Sequence, residues 1–183
     1  DQKVPLKTSD FLYVPAGVKH GITNMNDGPI KVLFMGYKLG DKEGYKPKDG
    51  LQIANAEKVE LQVLGWHGPS TQYKLLMGDT TSTRDRLAAA YLMKSLFIMD
   101  FAPGGTNNPH NHKTEEEVYL VLQGSGYMIT GLDELGNEVR VLAKTGDAFY
   151  WATGTEMGFV SLNQESEEHS IILAVRSDDP TKI

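Results

Sequence analysis

The chain has 183 residues, 40% of them hydrophobic, with a formal net charge of −6 and no cysteine. That is enough for one good-sized domain, or one domain and part of a second, with a real buried core. The acidic balance argues against a nucleic-acid or anionic-membrane surface, no apolar run approaches the roughly 18–20 residues of a membrane span, and the lack of cysteine excludes disulfide frameworks and thiolate metal sites.

Taken in order, the elements read as short strands joined by turns. Strands are predicted over 11–14, 30–35, 73–77, 95–101, 117–122, 126–130, 138–142, 147–151, 157–162 and 169–176. Their separators carry turn chemistry: Asn26-Asp27-Gly28-Pro29, Pro103-Gly104-Gly105, Gly124-Ser125-Gly126 and Leu135-Gly136-Asn137. The stretch Arg84–Lys94 is ambiguous, since its alanines favour a helix and the apolar run after it favours a strand. Residues 39–50 are polar and rich in Lys and Gly, and read as a linker. The pattern is all-β.

The chemistry concentrates between Gly104 and Gly126. His110 and His112 are two apart, so on a strand both imidazoles leave the same face. Glu117 lies an odd number of residues beyond His112, so a turn or bulge at Lys113-Thr114-Glu115 is needed to bring it round. Two neutral imidazoles and a carboxylate suit a divalent transition metal: Fe, Mn, Co, Ni, Cu or Zn. Glu115 and Glu116 read as a solvated acidic turn, His67 as a structural or surface residue in a turn, and His169 as a strand-end residue facing solvent. Arg84, Arg86, Arg140 and Arg176 are dispersed in sequence but free to converge in space. No nucleophile–base pair stands out.

Gly104, His110, His112, Glu117 and Gly124 match all five fixed positions of G-x5-H-x-H-x(3,4)-E-x6-G. In this the chain resembles the cupin superfamily. The resemblance implies a small antiparallel jelly-roll barrel (a double-stranded β-helix) with His110, His112 and Glu117 as metal ligands. The second cupin motif aligns with Gly146–Ser161, where Ala152 replaces the usual proline, Ser161 the usual asparagine, and Met157 the histidine that is usually the fourth ligand. Methionine is a soft, weak ligand, and Met157 reads as a pocket-wall residue. Tyr119 and Tyr127 are further pocket candidates.

Ser9–Asn24 carries P-x-G-x2-H-x3-N intact, through Pro15, Gly17, His20 and Asn24. This resembles the second half of another cupin barrel, with His20 in a partial site. The expectation is a bicupin-like organisation: a partial cupin half-barrel over 1–38, the linker 39–50, and a complete barrel over 51–183. The chain begins at Asp1 without a signal peptide, which reads as truncation of a longer bicupin. Strand edges exposed by a half-barrel call for a partner, so a homo-oligomer, or pairing with the missing half-barrel, is expected. The cupin resemblance implies a metal-dependent, oxygenase-like enzyme acting on a small organic molecule. The alternatives are a non-catalytic binding or sensor barrel and a storage protein. A soluble, cytoplasmic protein with no nucleic-acid or membrane partner completes the expectation.

Overall fold

The computed structural model describes residues 3–37, 48, 50–162, 168–179 and 181. Twelve strands are present among them: β1 (Asp10–Tyr13), β2 (Gln52–Asn55), β3 (Thr71–Asp79), β4 (Leu87–Ala90), β5 (Met93–Phe101), β6 (Thr106–His110), β7 (Glu115–Gln123), β8 (Ser125–Leu132), β9 (Glu138–Lys144), β10 (Ala148–Trp151), β11 (Met157–Ser161) and β12 (Ser170–Asp178). A six-stranded sheet, ordered β10-β7-β12-β5-β3-β4, faces a four-stranded sheet, ordered β6-β11-β8-β9. Most pairings are antiparallel; β3 and β4 run parallel.

The core lies between the two sheets. Phe97, Met99 and Phe101 of β5, Tyr119 and Val121 of β7, Ile172 and Ala174 of β12, and Met128, Met157 and Phe159 of the smaller sheet meet there. Each set recurs at every second residue, as one face of a strand requires. A second cluster, including Leu76, Met77, Met93 and Leu96, lies with Phe11 and Tyr13 of β1 packed against it. With apolar residues packed on both faces, β5 and β12 carry continuous apolar runs, Leu96–Met99 and Ile171–Val175, rather than clean alternations.

Several sequence expectations change. Arg84–Lys94 is not helical: Leu87–Ala90 is β4, because pairing with β3 outweighs the helix preference of alanine. β6 escaped prediction because Asn107, Asn108 and Pro109 look like turn residues, yet β6 is an edge of the smaller sheet, where proline is tolerated. Residues 30–35 form no strand: they have no pairing neighbour, and Leu33 and Phe34 are exposed. Of the half-barrel expected over 1–38, the described residues contain the single strand β1, which pairs with β2 at the start of the main barrel region. The linker expected over 39–50 lies outside the described residues, apart from 48 and 50. Among the described residues no helix is long and apolar enough to cross a membrane.

Gly126 on β8 shows how closely the neighbouring strand β11 packs over it. A β-carbon there would meet Phe159 Cζ at 2.2 Å and the Val160 carbonyl oxygen at 2.4 Å. Gly126→Ala is therefore predicted to destabilise the barrel by about 1–3 kcal/mol, as overpacking does, measured by chemical denaturation; unchanged stability would contradict this packing.

Candidate metal centre

β6 ends at His110, a short connection carries His112, and β7 enters with Glu117 on its inward face above Tyr119 and Val121. The two histidines therefore do not share one strand. His112 lies just past the end of β6, and the bend at Lys113-Thr114 before β7, where the sequence called for one, resolves the odd spacing to Glu117. The ligand atoms of His110, His112 and Glu117 all lie within 4.8 Å of one another. The His110 and His112 rings are 5.0 Å apart at 84°.

His110 Nδ1 lies 2.9 Å from the Asn108 carbonyl oxygen. A carbonyl only accepts, so Nδ1 carries the proton and Nε2 the lone pair, the form that binds a metal. Burial lowers the His110 pKa, reinforced by His112 and opposed by the Asn108 contact. Glu117 is 3% exposed. Its Oε2 stands 2.8 Å from His112 Nε2 yet has no hydrogen-bond partner. The short distance comes without donor–acceptor alignment, so proximity does not compensate the desolvated oxygen. A buried carboxylate oxygen left so is costly. A cation held jointly by these atoms would remove that cost, and the donor set of two imidazoles and one carboxylate fits a divalent transition metal.

Around the triad stands a polar ring. Glu115 Oε2 lies 3.5 Å from His112 Nδ1 and 3.4 Å from Arg176 Nε. Glu115 is thus no solvated turn; it sits on β7 and orients His112. Glu116, on the opposite face, accepts a hydrogen bond from the Tyr150 hydroxyl at 2.9 Å. Arg176 of β12 pairs in register with Glu117. A cavity of about 350 Å³ adjoins the site, lined by His67, Tyr73, Arg84, Asn107, the three ligand candidates, Tyr119 and Arg176 together with Leu64, Leu75, Phe97 and Met99. Tyr73 is buried, its hydroxyl has no hydrogen-bond partner, and burial, with Glu117 nearby, raises its pKa. Tyr119 is anchored by Asn107, whose Nδ2 donates to its hydroxyl at 3.2 Å while Oδ1 accepts from Phe159 N at 2.8 Å.

Tyr119 lines the cavity as expected. Tyr127 does not: it stands on β8 opposite Leu142, and both are exposed. Met157 sits across from His110 in register but is 1% exposed and belongs to the core rather than the cavity lining. His20 is exposed, contacts the Val18 carbonyl and takes no part in the cavity. His169 is exposed and pairs with Asp100. His67, read as a structural or surface residue in a turn, does end a turn but stands half-buried at the cavity wall; burial lowers its pKa from 6.5 to about 4, helped by His110, His112 and Arg176. Sequence reading missed His67, Tyr73, Glu115 and Arg176. Arg176 carried a legible signal, since it stays in phase with the inward Ile172 and Ala174.

Residues 97–174 match the family described as Cupin domain. The barrel has the cupin fold. A germin-like protein of Mesembryanthemum crystallinum is 41% identical over 65 residues, covering 33% of this chain and 28% of that protein. A putative germin-like protein 3-4 of Oryza sativa subsp. japonica is 34% identical over 88 residues, covering 47% of this chain and 38% of that protein. The matched stretches thus span about a third of each curated relative. Among solved structures, a predicted oxalate decarboxylase from Thermotoga maritima superposes with a TM-score of 0.53 at 16% identity, covering 68% of this chain and 97% of that one. At that identity the likeness speaks to the cupin fold alone.

Two outcomes follow from this geometry. Glu115→Gln weakens the hold on His112 and is predicted to lower metal affinity about 10–100-fold, the usual cost of losing an outer-shell partner, measured by calorimetric titration; an unchanged affinity would remove Glu115 from the site. Unfolded, His67 takes up a proton near pH 6.5; folded, it does so only near pH 4. Between these values the unfolded chain binds more protons, so the stability of the metal-free protein is predicted to fall as pH drops through that window. His67→Gln should reduce that slope in thermal melts across the same range.

Proposed function

We propose that this cupin barrel is a metal-dependent, oxygenase-like enzyme acting on a small organic acid. The observation that carries the reading is the convergence of His110, His112 and the buried Glu117 beside a cavity of about 350 Å³. His110, His112 and Glu117 would hold the metal. The bound metal would supply Lewis acidity and open coordination positions for substrate or O₂.

The remaining roles belong to the protein. Arg84 and Arg176 stand at the cavity and favour an anionic substrate, since a guanidinium matches a carboxylate in both charge and shape. The Tyr73 hydroxyl is positioned as a donor to a bound ligand. Leu64, Leu75, Phe97 and Met99 form an apolar wall that limits water. Glu115 fixes the orientation of His112 and Arg176 together.

A second reading, a barrel that binds a small molecule without turning it over, is favoured by Met157. That side chain is buried in the core where the second motif of a cupin usually supplies a histidine. The test is elemental mass spectrometry on protein purified without immobilised nickel, beside the His110→Ala, His112→Ala double variant. Oxygen uptake is then followed over a panel of small organic acids. Near-stoichiometric metal that disappears in the variant, with uptake on at least one acid, is the predicted result. Metal without turnover would favour the binding barrel, and no metal even after reconstitution would overturn the proposal.

A further inference from the structure

We propose that His67 supplies a third imidazole to the metal of this site. The inference rests on the metal-dependent reading above and concerns a residue outside both histidine motifs. His67 ends a 3-10 turn at Gly65–His67 that packs on β6, the strand carrying His110. The turn is a built feature: Gly65 and Gly68 on either side of the histidine adopt φ values of 45° and 80°, in the left-handed region that strains any residue with a β-carbon.

The resulting geometry places His67 and His112 as two neighbours of His110. The His67 and His110 rings are 5.1 Å apart at 68°, and the His110 and His112 rings are 5.0 Å apart at 84°. Three imidazoles thus stand edge-on around one end of the cavity, at nearly equal spacing. The position facing His110 across the sheet holds Met157, whose thioether is committed to the core. A metal held by His110, His112 and Glu117 therefore lacks a nitrogen from β11, and His67 is the further imidazole lining the same cavity. His67 lies outside the set whose ligand atoms are mutually within 4.8 Å. Engagement therefore requires its side chain to swing from its present tilt against Tyr73, 5.4 Å away.

Cu(II) serves as the spectroscopic probe and Zn(II) as the affinity probe. Pulsed EPR of the Cu(II)-loaded chain should count three imidazoles in the wild type and two in His67→Ala. Zn(II) affinity should fall at least about tenfold, since even outer-shell partners cost that much. His67→Gln preserves size and serves if His67→Ala perturbs folding; it should show the same loss of one imidazole. His20→Ala, at an exposed histidine outside the cavity, should change neither readout. Two imidazoles in the wild type, or an unchanged count and affinity in the His67 variants, would overturn the proposal while leaving the three-ligand site standing. A wild type that binds neither ion would overturn the metal reading and this inference together.

Discussion

Glu117 places a carboxylate oxygen in the interior, 2.8 Å from an imidazole nitrogen and aligned with no donor. In the tautomer that points Nδ1–H toward Glu115, His112 presents a lone pair to that oxygen, and two acceptors at such range repel. In a protein interior such an arrangement is costly unless something positive shares it. A metal cation would satisfy His110, His112 and Glu117 in one step, and much of the surrounding structure holds those three side chains still. Tyr119 lies directly beneath Glu117 on β7, pinned through Asn107 to β11. Arg176 faces Glu117 from the adjacent strand, and Glu115 ties it to His112.

The same constraint explains why the site lies at one end of the sandwich. The middle is filled by Met99, Phe101, Met128, Phe159 and Ile172, all fully buried, so a cavity can open only where the inward positions become polar. That change occurs along single strands: from Tyr119 to Glu117 on β7, and from Ala174 to Arg176 on β12. Each strand spends its apolar end on stability and its polar end on the site.

Much of this was legible in the residues, and the failures have physical causes. The period-two pattern exposed most strands, and the spacing from Gly104 to Gly124 identified the three ligand candidates, because motif and alternation are both local. Residues 30–35 look like a strand, but a strand exists only with a hydrogen-bonding neighbour, which local sequence does not specify. β6 was hidden by Asn107, Asn108 and Pro109, whose edge position makes a turn-like composition acceptable. His67 and Tyr73 reach the cavity from elements distant in sequence. Nothing local marks them apart from Gly65 and Gly68, whose backbone freedom shapes the turn. Met157 was recognisable as a departure from the second cupin motif, while its burial in the core became visible only once β11 was placed across from His110.

The most direct test of this account is the thermal stability of Glu117→Gln, with and without added Mn(II), beside the wild type. Glutamine keeps the shape but removes the buried negative charge that a cation would balance. The account predicts that Mn(II) raises the melting temperature of the wild type and leaves that of Glu117→Gln unmoved, while the metal-free variant is at least as stable as the metal-free wild type. An equal Mn(II)-induced rise in both proteins would contradict it, because Glu117 would then be an ordinary buried carboxylate and the cation would be held elsewhere.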